Sequence, residues 1–357
     1  VSVNKQTNAG STMIPNNLLH MMMRTRWKTL AYALTLILAA AHNFGFHLHR
    51  WYNNNDDINS RANFPIIANM SQHTTRTREF LNVAGKTLCF IHVGKTGGSS
   101  FRSQFAEGKK TVSNLNSLPM LETWREVHTA PKLVFGDVAK CDFFVTWVRD
   151  PIDRAVSAYN MDLDPLWGEE LRRFNRKGYN HWVERVKHLR RFGNLNNLTE
   201  QLLVNGEAAI LWEGIEHVGH DIAWYFSYDA ETGNPTKPGR GAHSGARSYL
   251  QNEEFLKKLV FVGANECYNE DIDQFASIFG VSTSFMSEHP VVHERRKHAG
   301  AFDSQTLSPT ARDILENYFY YDYVVLHLLK ELGFIKCQKL LDRISHVYKK
   351  YDWASFT

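Results

Sequence analysis

The chain has 357 residues, of which 43% are hydrophobic and 22% charged, and this composition excludes a wholly disordered, collagen-like or coiled-coil protein. The formal net charge of +4 suits an anionic ligand but is too small for a polybasic nucleic-acid binder, so we expect no nucleic-acid partner. Four cysteines without C-x-x-C spacing argue against a zinc ribbon or a thioredoxin-like motif. They allow at most two disulfides, whose pairing the sequence does not give.

The N-terminal segment predicts a membrane-directed leader. Residues 1–28 end in a basic cluster, and residues 29–46 are mostly apolar and long enough for a helix of about 27 Å. Because the positive charges precede the apolar run, we expect a cytosolic tail, a transmembrane signal anchor at 29–46, and a lumenal remainder. A cleaved signal peptide ending in the alanines at 39–41 is the alternative, and it delivers the chain to the same compartment.

The remainder of the chain divides into a stem, a domain and a tail. Residues 47–85 are polar and aperiodic, which predicts a solvated stem. Between residues 86 and 340, apolar β-type runs alternate with helical patterns, which is typical of an α/β domain, and residues 341–357 are predicted as a C-terminal helical tail. The sequons at Asn69 and Asn197 fit a lumenal glycoprotein, although such triplets also arise by chance.

The first motif begins with residues 87–93, an apolar run typical of a strand buried on both faces. It leads directly into the sequence GKTGGSS at residues 94–100, after which a helical pattern begins. This combination predicts an anion site, because glycines let backbone N–H groups approach the ligand and the helix dipole adds positive charge. Lys95 supplies a full charge and three hydroxyl-bearing residues follow it. A glycine-rich turn with an incidental lysine is the structural alternative.

A nucleotide-binding P-loop is the obvious comparison for this motif, but the spacing differs. That motif has a glycine five residues before its Gly-Lys-Thr, and this chain has Cys89 there. The spacing disfavours an ATP-dependent kinase, which we keep as an alternative. A non-catalytic glycan-binding protein with the same fold is a second alternative.

The second motif follows another β-type run, residues 142–148. Arg149 is expected at the carboxyl end of that strand, where open α/β sheets bind their ligands, and Pro151 suits the first turn of a helix. Ser157 lies about two helical turns further on. An arginine fork and a hydroxyl are suitable ligands for a phosphate monoester, whereas a salt-bridged turn is the structural alternative.

Together the motifs resemble those of Golgi-type carbohydrate sulfotransferases, especially the heparan sulfate 2-O and 6-O enzymes. Residues 91–101 (IHVGKTGGSSF) resemble the loop that binds the 5′-phosphosulfate, and residues 146–159 (TWVRDPIDRAVSAY) resemble the 3′-phosphate motif. Residues 261–266 (FVGANE), followed by a helix near 271–279, resemble a third segment of the family. The chain departs from the family at Gly94, where proline commonly precedes the lysine.

The resemblance implies a co-substrate, 3′-phosphoadenosine 5′-phosphosulfate, and a hydroxyl acceptor on a glycan or glycoconjugate. Lys95 would steady the leaving oxygen, the loop after it would wrap the 5′-phosphate, and Arg149 and Ser157 would hold the 3′-phosphate. A basic turn before the C-terminal helices adds candidates. The donor-binding candidates are Lys95, Thr96, Gly97, Gly98, Ser99, Ser100, Arg149, Ser157, Arg295, Arg296 and Lys297.

A sugar hydroxyl is a poor nucleophile at neutral pH, so a general base is expected, and histidine has the suitable pKa. His128 lies between the two donor motifs, in a context similar to that of the catalytic histidine of the 6-O enzymes. His92 competes but is interpreted as a packed residue, and Glu126 is the fallback base. No metal is required, since Lys95 and the loop dipoles can absorb the developing charge.

The sequence therefore predicts a P-loop-like three-layer α/β fold with a central, mainly parallel sheet flanked by helices. The expected protein is a single-pass type II Golgi membrane sulfotransferase with a lumenal catalytic domain. A tyrosine acceptor is a narrower alternative within this class. The sugar, the hydroxyl position and the oligomeric state stay open.

Overall fold

The computed structural model describes residues 81, 85–97, 101, 121–127, 140–215, 217–229, 246–280 and 302–351, with the backbone alone at 121–127, 229 and 246–249. All of them belong to one compact unit, residues 59–357. The predicted tail, anchor and most of the stem lie outside these residues. Within the described segments, no helix has the length and apolar character needed to cross a membrane.

Two sheets form the strand framework of the described chain. The larger is a four-stranded parallel sheet in the order β2-β1-β3-β6, and the smaller is an antiparallel pair, β4 and β5. The strands are β1 (Lys86–Ile91), β2 (Leu121–Val127), β3 (Phe143–Val148), β4 (Ser227–Asp229), β5 (Ala246–Ser248) and β6 (Leu259–Ala264). A parallel sheet with flanking helices confirms the predicted α/β class.

Helices occupy most of the remaining described chain. They are α1 (Pro151–Leu163), α2 (Pro165–Phe174), α3 (Arg176–Leu189), α4 (Leu195–Glu200), α5 (Gly206–Gly214), α6 (Ile222–Tyr225), α7 (Glu253–Lys258), α8 (Tyr268–Phe279), α9 (Pro309–Tyr318), α10 (Tyr320–Glu331) and α11 (Gln338–Lys350). Helix α1 begins as the sequence predicts, with Pro151 in its first turn. Asp150 caps it by accepting hydrogen bonds from the backbone N–H groups of Ile152 and Asp153.

The parallel sheet is covered by helices on both faces, because successive side chains of a strand point to opposite sides. Cys89, Phe144 and Val262 pack in one cluster with residues of α6, α10 and α11. Phe90, Trp147 and Phe261 pack in another with α8, chiefly its Phe275 and Phe279. A third cluster joins α1, α4, α5 and α9 around Trp212 beside the sheet.

The four cysteines, whose pairing the sequence does not give, form two disulfides. Cys89 in β1 bonds to Cys141, which precedes β3. Cys267, in the 3₁₀ turn after β6, bonds to Cys337, which precedes α11. No cysteine of the chain is free. The bridges therefore tie β1 to the start of β3, and the end of β6 to the last helix.

The helical apolar spacing from Asp313 to Leu332 spans two helices in the structure. Helix α9 ends at Tyr318 and α10 begins at Tyr320. The break is Phe319, whose buried ring packs against Trp212 and lies beside the guanidinium of Arg154. The break between the helices thus coincides with tertiary packing of the Phe319 ring, which the apolar periodicity does not encode.

Candidate functional site

The candidate site lies at the carboxyl edge of the parallel sheet, where β1, β3 and β6 end side by side. In open α/β sheets this edge is where ligands bind. The loop 92–97 follows β1, residues 149–150 follow β3, and the 3₁₀ turn Asn265–Cys267 follows β6. The two predicted donor motifs therefore emerge from adjacent strands.

The loop after β1 turns tightly through two left-handed backbone positions, Lys95 with φ 67° and Gly97 with φ 89°. For a residue with a side chain such as lysine this conformation is uncommon and is often found at functional sites. Thr96 is buried, and its Oγ1 donates a hydrogen bond to the Val93 carbonyl at 2.8 Å. The expected Thr96 hydroxyl donor is thus engaged within the loop, which leaves its backbone for a ligand.

Glycine is needed twice in this loop because other segments approach its backbone closely. A Cβ at position 94 would collide with the imidazole ring of His217. A Cβ at position 97 would lie 2.7 Å from Asn265 Oδ1. The segment around His217 and the turn after β6 therefore enclose the loop. At position 94 the ring of His217 occupies the space that a side chain would take.

Lys95 and Arg149, the two predicted cations, meet at the sheet edge. Arg149 Nη1 donates to the Lys95 carbonyl oxygen at 3.4 Å. The Lys95 side chain is half-buried and extends towards α1, where Nζ lies 3.6 Å from Met161 Sδ. Ser157 is half-buried one helical turn before Met161, on the same side of α1. Lys95 thus contacts Arg149 through its backbone and approaches the side of α1 that carries Ser157.

Arg149 retains hydrogen-bonding capacity within the protein. Its Nε is buried and has no hydrogen-bond partner in the described part of the chain. Buried polar groups are normally paired, so such an atom needs an explanation. The next residue, Asp150, is fully engaged as the α1 cap and accepts from Tyr323 Oη at 2.9 Å and Arg343 Nε at 3.3 Å. The backbone next to Arg149 is therefore fixed by the contacts of Asp150, and Arg149 Nε remains an unused hydrogen-bond donor.

Glu266 links the ends of β3 and β6. Its Oε1 accepts from the Asp150 backbone N–H at 2.8 Å, whereas Oε2 is buried without a partner among the described residues. Burial raises the pKa of Glu266 to about 7, and the nearby Arg149 charge acts in the opposite direction. The carboxyl group thus holds the exit of β3 in place from the neighbouring strand.

Arg154 anchors the segment that carries His217. It is fully buried, and its Nη1 donates to the carbonyl oxygens of His217 at 2.6 Å and His220 at 3.0 Å. Its Nη2 lies 3.8 Å from Asp322 Oδ2, and Asp322 Oδ1 accepts from the Ala223 N–H at 2.8 Å. Burial raises the pKa of Asp322, and Arg154 opposes that shift.

His217 is the site residue that sequence reasoning missed. Its backbone is left-handed, with φ 71°, and its ring lies against Gly94. Burial, together with the charges of Lys95 and Arg154, lowers the pKa of His217 to about 3, so the imidazole is neutral at physiological pH. No spacing or motif in the sequence singles it out, because its relation to the loop arises only from the fold.

Several predicted site residues lie outside the described residues. They are His128, Gly98, Ser99, Ser100, Arg295, Arg296 and Lys297. Strand β2 ends at Val127, immediately before His128 in the sequence, and Val127 pairs with Ile91 at the same sheet edge. Glu126 is described by its backbone alone. His92 is buried, with its ring stacked on Phe90 at 5.2 Å.

Comparison with known proteins yields no match to any protein-family model, curated protein or solved structure. Within the described segments, no group of three or more His, Cys, Asp or Glu side chains is arranged to hold a metal ion.

Proposed function

We propose that this chain is a sulfotransferase that uses 3′-phosphoadenosine 5′-phosphosulfate and transfers its sulfuryl group to a hydroxyl of a glycan or glycoconjugate. The observation that carries the proposal is the meeting of Lys95 and Arg149 at the ends of two adjacent parallel strands. The identity of the sulfuryl donor comes from the motif resemblance. The fold supports the binding of one ligand by both motifs, because the strands that precede them are neighbours.

The chemistry of the residues fits a nucleotide with two phosphate groups. The loop after β1 provides two glycines and a lysine for the 5′ end, as in P-loop-like folds. The buried, unpartnered Nε of Arg149 provides a donor suited to the 3′-phosphate, and Ser157 adds a hydroxyl nearby. Two cationic residues that follow adjacent strands suit two anionic groups on one molecule.

In the proposed reaction, a bond forms between the acceptor oxygen and sulfur. The bond between sulfur and the bridging phosphate oxygen breaks, and that oxygen leaves with the electron pair. Lys95 is assigned to stabilise the charge on the leaving oxygen, a role worth about 10²–10³ in rate for comparable donors. His128 is assigned to accept the acceptor proton, which contributes about 10²–10⁴-fold.

The proposed address is the lumen of the Golgi, with a type II anchor at residues 29–46. The two disulfides support an oxidising compartment, because disulfides are rare in cytosolic proteins. The exposed basic side chains of α2 and α3, including Arg173, Arg176 and Lys177, suit an anionic glycan acceptor at the domain surface.

The deciding experiment combines transfer and binding. The full chain is incubated with donor labelled in its sulfuryl group and a panel of glycans, and calorimetry measures the binding of adenosine 3′,5′-bisphosphate. We expect label on a glycan and measurable heat. Lys95→Ala should lower turnover about 10²–10³-fold. Lys257→Ala, at an exposed position of α7, is the matched control and should leave turnover unchanged.

The alternatives give different results when ATP is added as a second nucleotide to the same experiment. A kinase would bind ATP and transfer phosphate without responding to the bisphosphate. A glycan-binding protein would bind glycans with no heat from either nucleotide, and Lys95→Ala would not affect it. Either pattern would refute the proposed function.

A further inference from the structure

The sequon at Asn197 lies on an exposed part of the structure. Asn197 is in α4, and its exposed side chain donates from Nδ2 to the Phe192 carbonyl oxygen at 3.0 Å. Gly193 and Asn194, which precede the helix, are also exposed. A group attached to Asn197 Nδ2 would therefore extend into solvent.

The threonine of the same sequon has the opposite environment. Thr199 is fully buried, and its Oγ1 has no hydrogen-bond partner among the described residues. It sits between core residues of α4 such as Leu198. An unpaired buried hydroxyl lowers stability, and valine would fill a similar volume without that penalty. The folded domain therefore gives no reason for a hydroxyl here, whereas a sequon requires one at this position before the chain folds.

We propose that Asn197 is N-glycosylated as the chain enters the secretory pathway. The inference rests on the lumenal address that forms part of the proposed function. The co-reactant is an oligosaccharide linked to a lipid diphosphate. The bond between Asn197 Nδ2 and sugar C1 forms, the bond between C1 and the diphosphate oxygen breaks, the lipid diphosphate leaves with the electron pair, and the amide nitrogen loses one proton.

The fold accepts this modification without rearrangement. A glycosylated asparagine keeps one N–H on its side-chain nitrogen, so the hydrogen bond to the Phe192 carbonyl can persist. The backbone N–H of Asn197 remains bonded to Asn194 Oδ1 at 3.0 Å, which caps the helix. The Thr199 hydroxyl is needed only for attachment of the sugar, and the side chain is buried in the folded domain.

The test expresses the full chain in a eukaryotic secretory host and treats it with peptide N-glycosidase in ¹⁸O-labelled water. Mass spectrometry then detects labelled aspartate at each formerly glycosylated asparagine. We expect label at position 197, and loss of one discrete mass step in both Asn197→Gln and Thr199→Val. Thr199→Ser keeps the sequon hydroxyl and should retain the sugar.

A stability measurement tests whether the Thr199 hydroxyl contributes to the stability of the folded domain. Thr199→Val and Asn197→Gln both lack the sugar, and we expect Thr199→Val to unfold at the same or a higher denaturant concentration. A clearly less stable Thr199→Val would give the hydroxyl a structural role and overturn the argument.

The second sequon, at Asn69, distinguishes an error about Asn197 glycosylation from an error about the lumenal localisation. A sugar at Asn69 with unmodified Asn197 would overturn the inference and leave the lumenal address standing. Unmodified asparagine at both positions would overturn the inference and remove its support for that address. Sulfuryl transfer is measured separately, so a glycosylated chain without transfer would refute the proposed function alone.

Discussion

Two regions of the domain hold partly buried arginine side chains, and they differ in how those side chains are paired. In the helical region after β3, Arg185 contacts both carboxylate oxygens of the fully buried Asp162, with Nη2 donating to Oδ1 at 2.7 Å. At the sheet edge, Arg149 reaches a backbone carbonyl at 3.4 Å, and its buried Nε has no partner in the described structure. The first arginine is paired with a carboxylate through two hydrogen bonds, whereas the second makes one long hydrogen bond to a carbonyl.

The difference separates a structural ion pair from a candidate binding group. A bidentate arginine–carboxylate pair neutralises the charge of both partners, so it attracts an anionic ligand less strongly. An arginine that is held in place but incompletely bonded retains a hydrogen-bond donor for an anion. Pairing of the arginine nitrogens therefore predicts which variants lose stability and which lose ligand binding.

The largest expected effect is on stability and concerns Arg185→Ala. Removing the arginine leaves Asp162 buried without its counter-ion, which typically costs about 3–5 kcal/mol. Denaturant unfolding should show this loss. Nucleotide affinity, measured under conditions where the variant remains folded, should stay close to that of the unchanged chain. A stable variant would show that the ion pair is dispensable to the fold.

Arg149→Ala should give the reverse pattern. Truncating one partner of a desolvated charge pair costs about 2–5 kcal/mol, so we expect the affinity for adenosine 3′,5′-bisphosphate to fall about 30-fold or more. The unfolding free energy should change by less than about 1 kcal/mol, because Arg149 makes one long hydrogen bond in the described structure. Equal losses in Arg149→Ala and Arg185→Ala in both assays would contradict the comparison.

The contact between Gly94 and His217 allows a double-mutant test of the loop. Gly94→Ala should lower stability by about 1–3 kcal/mol and weaken nucleotide binding, because the new methyl group meets the imidazole ring. Adding His217→Ala should recover part of both losses, with a coupling energy of about 1 kcal/mol.

Gly214→Ala is the control for that test, since a Cβ there would lie 3.6 Å from its nearest neighbour, an ordinary contact. It should be neutral or slightly stabilising, because alanine is the better helix former. If the losses from Gly94→Ala and His217→Ala simply add, the ring does not position the loop.

The sequence predicts the parts of the fold that depend on local pattern. The apolar runs of β1 and β3 and the proline at the start of α1 are all found where expected. Each is encoded within a few neighbouring residues. Strand β2 was not predicted, because LETWREV has apolar residues at every third position rather than every second.

The unpredicted parts of the site depend on contacts between distant segments. The approach of His217 to Gly94 and the bonds of Arg154 to residues 217 and 220 bring together parts of the chain that no motif relates. The unpartnered oxygen of Glu266, close to the Arg149 charge, likewise emerges only from the packing. Cysteine pairing is equally non-local.

The smallest expected effect is a pH dependence at Glu266, whose pKa burial raises from 4.5 to about 7. Between those pH values the folded chain holds a proton that the unfolded chain releases, so this group's contribution to stability falls as pH rises. Glu266→Gln cannot ionise, so its stability relative to the unchanged chain should rise by roughly 1–3 kcal/mol from pH 5 to pH 8. Asp322 shifts in the same direction and His217 in the opposite one, but both are present in both proteins and cancel in the difference. If the two stability curves run parallel over this pH range, Glu266 has an ordinary pKa. The sheet edge would then hold no carboxyl group whose ionisation is suppressed by burial.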